Sequence, residues 1–350
     1  MTDVRQPYLR PAARLKGLDV DNAEPCGRPP TERLPLAVQF EAPGERKSMC
    51  KVVSIIFVML AVAGSVSAQT SNSDYDVVPF AAPPDRPDWG DTVSVASDGR
   101  GSILVLRRAE PPVLHFNRDG ELQNSWGSGL FPDIHSIDVD EEGFVWITDT
   151  TDHMVYKFTM NGEQLLALGT KGVTGDNESK TAFNRPTDVV VAPSGDVFVT
   201  DGYGNSRIVH FSEDGTFVKI IGGVSGTGPG EFNTPHAVRI DSRGRLLVLD
   251  WQREAGDPRI QIFDQDGELI EIWSDLGIMR PTGITISSDD TVYVGDTDGN
   301  AIWVLKDGKV IDKIGGLDAR PHNIVLDSGT GALYFADTTE PGQIKRVTRK

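Results

Sequence analysis

The sequence predicts an all-β fold, a six-bladed β-propeller, on three observations. A unit of about four short strands recurs six times, the copies have similar lengths, and no long helical pattern appears anywhere. In the typical unit an apolar strand and a turn lead through Gly into an alternating run of β-branched and aromatic residues that ends on Asp. A second alternating strand then reaches a D-G or N-G turn and a last strand.

Taken in order, the first copy is the weakest, with GSILVLR ending at Arg107, then PVLHF and Asp119-Gly120. The second runs from Ile137-Asp138 through GFVWITD, ending at Asp149, to MVYKF and Asn161-Gly162. The third has GDVFVTD ending at Asp201, then SRIVHF and Asp214-Gly215. The fourth has GRLLVLD ending at Asp250, then PRIQIF and Asp266-Gly267. The fifth has TVYVGD ending at Asp296, then AIWVL and Asp307-Gly308. The sixth has GALYFAD ending at Asp337, then QIKRV. The reference positions lie 42, 52, 49, 46 and 41 residues apart. Apolar residues occupy both faces of each small sheet, as in Val197 and Val199 against Phe198, so a blade needs a neighbour on either side. An open solenoid is the rival arrangement. A last copy that stops near Val347, one strand short, favours a ring closed by an early strand around Asp76 to Phe80.

The 350 residues, 24% charged and 38% apolar, suit one large globular domain. Residues 1–48, rich in Pro, Arg and Glu without periodicity, read as a disordered leader or a misassigned start. From Met49, Lys51 precedes an apolar run and then Val66-Ser67-Ala68, a small-residue cleavage pattern, so 49–68 is expected to be a signal peptide for a secreted or periplasmic protein. The alternative is a membrane anchor, for which the run is short. Residues 69–88 are expected to link this segment to the propeller at 89–350 and to supply the closing strand. Cys26 and Cys50 both lie in the leader, so the mature chain has neither a disulfide nor a thiolate to offer. Cleavage after Ala68 would leave 25 basic and 44 acidic side chains, a net charge of -19 that repels nucleic acid backbones and excludes them as partners.

Three of the six histidines occupy the same place in the repeat, just before the innermost strand: His135 in DIHSIDVD, His236 in NTPHAVRID and His322 in ARPHNIVLD. Blades 3 and 5 carry Thr187 and Thr282 there, so alternate blades would place the imidazoles about 120° apart around the channel, in a ring of six-fold symmetry. Three imidazoles with an open position form the ligand set of a catalytic zinc; the plainer alternative is that they cap strands. His115, His153 and His210 are expected to be structural or at the surface. Tyr203, on a Gly-flanked turn in DGYGNSRIVHF, is placed to project inward, where nearby positive charge would favour phenolate. Arg108, beside the strand end of blade 1, suits a carboxylate. The recurring aspartates at 149, 201, 250, 296 and 337 are expected to hold loops by accepting backbone N–H bonds.

From Trp89 to Arg346 the chain, whose repeats are of the NHL kind, resembles peptidyl-α-hydroxyglycine α-amidating lyase. The segments that carry the resemblance are PTDVVVAPSGDVFVTDGYGNSRIVHFSEDG, GPGEFNTPHAVRID, HSIDVDEEGFVWITD and HMVYKF. The resemblance implies zinc on His135, His236 and His322, a catalytic tyrosine at Tyr203 and an active-site arginine at Arg108. It implies cleavage of a peptidyl- or N-acyl-α-hydroxyglycine to an amide and glyoxylate. The family's monooxygenase domain is not in this sequence, so the expected partner is a separate monooxygenase chain, or else the natural substrate is a different carbinolamide; a monomer is expected. The chain departs from the family in having Gly204 for a cysteine, Arg320 for a methionine and Asn323 for an aspartate that helps hold a structural calcium. An amide oxygen can still bind calcium, and Asn323 with Ile137 is the corresponding expectation. Two other readings stay open. One is a propeller that binds a peptide, protein or glycan and keeps the metal as a structural pin; the other is a lactonase-type hydrolase, against which the three histidines argue.

Overall fold

A lone four-stranded sheet with apolar residues on both faces cannot bury them, and the chain meets this constraint by closing on itself. The computed structural model describes residues 74–82, 89–251, 257–339 and 341–350; the leader, Cys26, Cys50 and the apolar segment after Met49 lie outside the described residues. Six antiparallel sheets of four strands form the ring. Their innermost strands, blades 1 to 6, are Thr92–Ser97, Ile134–Val139, Asp188–Val191, Pro235–Ile240, Pro281–Ile286 and Pro321–Asp327. The outer strand of blade 6 comes from the start of the propeller: Tyr75–Pro79 pairs with Gln343–Arg349, Val77 opposite Val347, and Phe80 N donates to Ile344 O at 2.9 Å. The fold is the six-bladed β-propeller that the repeat predicts.

Each interface between blades has its own core. Among the described residues six apolar clusters occur, and each draws on two neighbouring blades. Val197 and Val199 face blade 2 with Trp146 and Val155, while Phe198 faces blade 4 with Val238 and Val248. Alternation along one strand thus feeds two interfaces, each buried apolar side chain contributing about 1.5–3 kcal/mol. Asp307 and Gly308 form a two-residue turn with both φ positive, 46° and 73°.

The strand-end aspartates hold the loops that lead into the channel. Asp201 accepts from Asn184 N at 2.8 Å and Arg207 Nε at 3.0 Å; Asp250 accepts from Asn233 N and Thr234 N, both at 3.0 Å, and from Arg259 Nε at 3.1 Å. Asp149, Asp296 and Asp337 make the corresponding bonds to Asp133 N, Arg280 N and Arg320 N. In every case the loop held is the one just before the first residue of the innermost strand. The aspartates are therefore what carries chain geometry from the blade into the channel.

Two outcomes follow. Asp250→Ala leaves the Arg259 guanidinium buried without its carboxylate, and should lower stability to urea by about 3–5 kcal/mol. Asp138 lies in the channel, where burial, then the neighbouring Asp188 carboxylate, push its pKa up to about 6 against the opposing pull of Arg239. A carboxyl raised in the fold costs stability above its folded pKa and ceases to do so as pH falls toward its unfolded value. Asp138→Asn should therefore be the more stable protein at pH 7, and its advantage over the parent should shrink by about 3 kcal/mol in urea titrations between pH 7 and pH 4. A pH-independent difference would contradict the assignment.

Candidate metal centre

Because equivalent repeat positions are related by rotation about the channel, the second residues of five innermost strands, with Thr187 just before the strand of blade 3, form a ring: Val93, His135, Thr187, His236, Thr282 and His322. The three imidazoles meet there, with ring centroids 4.9, 5.2 and 5.4 Å apart. Their ligand nitrogens lie within 4.8 Å of one another, and this is a group that could hold a metal ion.

Each Nδ1 faces a backbone carbonyl of the next blade: His135 with Thr187 O at 2.6 Å, His236 with Thr282 O at 2.7 Å and His322 with Val93 O at 2.8 Å. A carbonyl only accepts, so each Nδ1 carries the hydrogen and each Nε2 presents a lone pair toward the axis. Burial, then the facing His236 and His322 imidazoles, hold His135 well below the usual imidazole range; burial drives His322 down to about 4, with the Arg108 and Arg280 charges adding to it. Both are neutral at physiological pH, the state a metal needs.

Tyr203 projects to the same point. Its hydroxyl lies 2.9 Å from His135 Nε2 and 3.1 Å from His236 Nε2. One O–H can donate to only one of these nitrogens, so the phenol oxygen opposes a lone pair at the other, a repulsion that a cation relieves. The donor set therefore fits a metal. The loop reaches this position through a close approach: a Cβ on Gly202 would collide with the carbonyl of Pro235, the residue before His236. At Gly204, where the lyase family has cysteine, the Asn184 side chain fills the space.

Arg108 lies at the same end of the channel, and its charge reaches both His135 and His322. Its guanidinium is clamped by two carboxylates, Asp133 at 2.6 Å and Asp91 at 2.8 Å. Asn323 and Ile137 stand one and two residues further along their strands than the histidines. Asn323 Oδ1 accepts from Val95 N at 3.1 Å, and Ile137 N donates to Ser94 Oγ at 3.1 Å. The remaining histidines are elsewhere: His210 stacks on Phe198 with centroids 4.3 Å apart, His153 Nδ1 accepts from Arg185 N at 3.0 Å, and His115 lies in the third strand of blade 1.

Sequence reasoning missed part of the surroundings. Val93 completes the ring and supplies a carbonyl, but without His or Thr it gave no signal. Arg185 and Arg280 precede the proline of blades 3 and 5, as Arg320, already noted in place of the family's methionine, does in blade 6, and the recurring Arg-Pro pair is the signal that could have found the first two. Arg185 lies over the Tyr203 ring at 5.2 Å, and Arg280 over Trp251 at 4.1 Å. A larger cavity, about 680 Å³, is lined by residues farther along the innermost strands, among them Asp138, Val190, Arg239 and Ile286. None of the three histidines lines it, so the candidate site is located by its donor set and not by cavity size.

Comparison with known proteins agrees with this architecture. Residues 183–211 match the NHL repeat model. A probable peptidyl-alpha-hydroxyglycine alpha-amidating lyase of Caenorhabditis elegans is 33% identical over 175 residues, 49% of this chain and 47% of that protein. The solved streptogramin B lyase structure superposes with a TM-score of 0.57 at 16% identity, covering 79% of this chain and 98% of that one, a likeness of fold. NHL repeat-containing protein 3 of Homo sapiens is 30% identical over 279 residues, 73% of this chain and 79% of that protein. At 30% identity over most of both chains, with an NHL repeat in each, the chain belongs to the NHL-repeat family of NHL repeat-containing protein 3.

Proposed function

We propose that the chain is a zinc-dependent lyase that cleaves α-hydroxyglycine-type carbinolamides to an amide and glyoxylate. The observation that carries this reading is the Tyr203 hydroxyl standing between two Nε2 lone pairs of a three-histidine ligand set. Relatives named as amidating lyases, such as the Caenorhabditis elegans protein, support it.

His135, His236 and His322 would hold the ion through Nε2. When bound, zinc supplies Lewis-acid polarisation of the substrate's hydroxyl and carboxylate oxygens. Tyr203 is the proton carrier: its phenolate takes the carbinol O–H proton, the electron pair forms the aldehyde C=O, and the C–N bond breaks. The departing amide nitrogen recovers that proton, so the products are isomeric with the substrate and no water or redox partner enters. Arg108, locked by Asp91 and Asp133, contributes a positive charge that need not reorganise as the alkoxide forms. A substrate of this class must be made by a hydroxylating monooxygenase, which we propose as the partner activity. We read the segment after Met49 as the export signal that would bring the two together.

The direct test is metal content with glyoxylate release from a synthetic N-acyl-α-hydroxyglycine. The protein should carry about one zinc per chain, lose release on chelation and regain it with zinc. Tyr203→Phe should retain the metal and lose about 10²–10⁴-fold in kcat. His322→Ala should lose both metal and release. If chelation lowers Tm but no hydroxyglycine amide is cleaved, the metal is a structural pin and the chain is a binding propeller.

A further inference from the structure

The charges around the metal centre are unevenly balanced. On the blade 1 and 2 side, one guanidinium, Arg108, faces two carboxylates, Asp91 and Asp133. On the blade 5 and 6 side the ratio is reversed: Arg280 and Arg320 share one carboxylate, Asp298, at 3.6 and 2.8 Å. A protein with a formal charge of -17 thus concentrates positive charge on one arc of the rim.

That arc is built as a receptor. Arg280 lies against Trp251, whose ring is 6.0 Å from His236, so the stack connects the rim to the metal ligands. Its Nε is buried and has no hydrogen-bond partner. Asp296 and Asp337 hold the two backbones through Arg280 N and Arg320 N, each at 2.8–2.9 Å. Asp298 itself is 44% exposed and Arg320 is 46% exposed, so an arriving anion can compete for the same donors in water.

Resting on the lyase reading, we infer that Arg280 and Arg320 form a second anion subsite that selects substrates with a carboxylate on the acyl or peptide side of the carbinolamide. The reacting end already carries one carboxylate, attached to the carbinol carbon and so confined to the metal and Tyr203. Arg280 and Arg320 stand two residues before their axial residues, roughly 6–7 Å along an extended chain. That distance suits the side chain of an acidic residue or the far end of a dicarboxylic acyl group.

The test separates binding from turnover. N-Succinylglycine and N-butyrylglycine, which cannot react and differ by one carboxylate, are titrated calorimetrically into the protein with zinc present. The parent should bind the succinyl compound at least about tenfold more tightly, equivalent to about 1.4 kcal/mol. Arg280→Gln and Arg320→Gln should each bring the two ligands within about threefold, while leaving butyryl affinity unchanged as the control for folding. Asp298→Asn, which removes the competing carboxylate, should widen the preference. With N-succinyl-α-hydroxyglycine the arginine variants should raise KM more than they lower kcat. Equal affinities in the parent, or a preference that survives both arginine variants, would overturn the subsite. A preference in the parent that both arginine variants abolish, without any glyoxylate release, would instead remove the lyase reading and leave the subsite standing.

Discussion

Each imidazole of the centre gives its Nδ1–H to a carbonyl of the next blade, and this bond does two things at once. It ties blade 2 to 3, 4 to 5 and 6 to 1 at the axis, and it leaves Nε2 unprotonated and directed inward. The threonines extend the same pattern: the Thr187 hydroxyl lies 2.8 Å from Pro235 O and that of Thr282 3.3 Å from Pro321 O. Ring assembly and ligand preparation are therefore one event. Removing an acceptor carbonyl from its place by a blade shift would change the tautomer as well as the packing.

The bond holds only because the loops before the axial residues are held. Five strand-end carboxylates accept backbone N–H groups there, two of them also neutralising buried arginines. At blades 5 and 6 the two innermost strands also approach closely: a side chain on Gly283 would collide with the backbone of His322 and Asn323. Stability and site geometry are coupled in such a design, because a carboxylate distant from the candidate metal centre sets the approach of its imidazole.

Around this buried centre the charged groups differ in how they are paired. The Arg108 clamp is a three-centre arrangement with little freedom, suited to an unvarying field. The Arg280 and Arg320 pair shares a single half-exposed carboxylate, and exposed ion pairs are typically worth no more than about 1 kcal/mol. One guanidinium is matched by two carboxylates and two guanidiniums share one, although both clusters contain the same residue types.

By itself the sequence determined the repeat, the number of blades, the closing strand near Val77 and the axial role of His135, His236 and His322. Alternation, Gly-containing turns and repeat register are local properties that propagate around a ring without further information. It also marked the aspartates as loop holders, since an Asx-type bond is made to nearby backbone. What only the tertiary structure decided were contacts across blade boundaries. The carbonyl of Val93 lies 229 residues from His322, and the Arg108 fork faces Asp133 from the neighbouring blade. Backbone acceptors have no residue type to read, and whether an arginine is saturated depends on which carboxylates the ring brings beside it. Repeat symmetry made the ligands legible; the departures from symmetry, which set the charge on each arc of the rim, had to be seen in three dimensions.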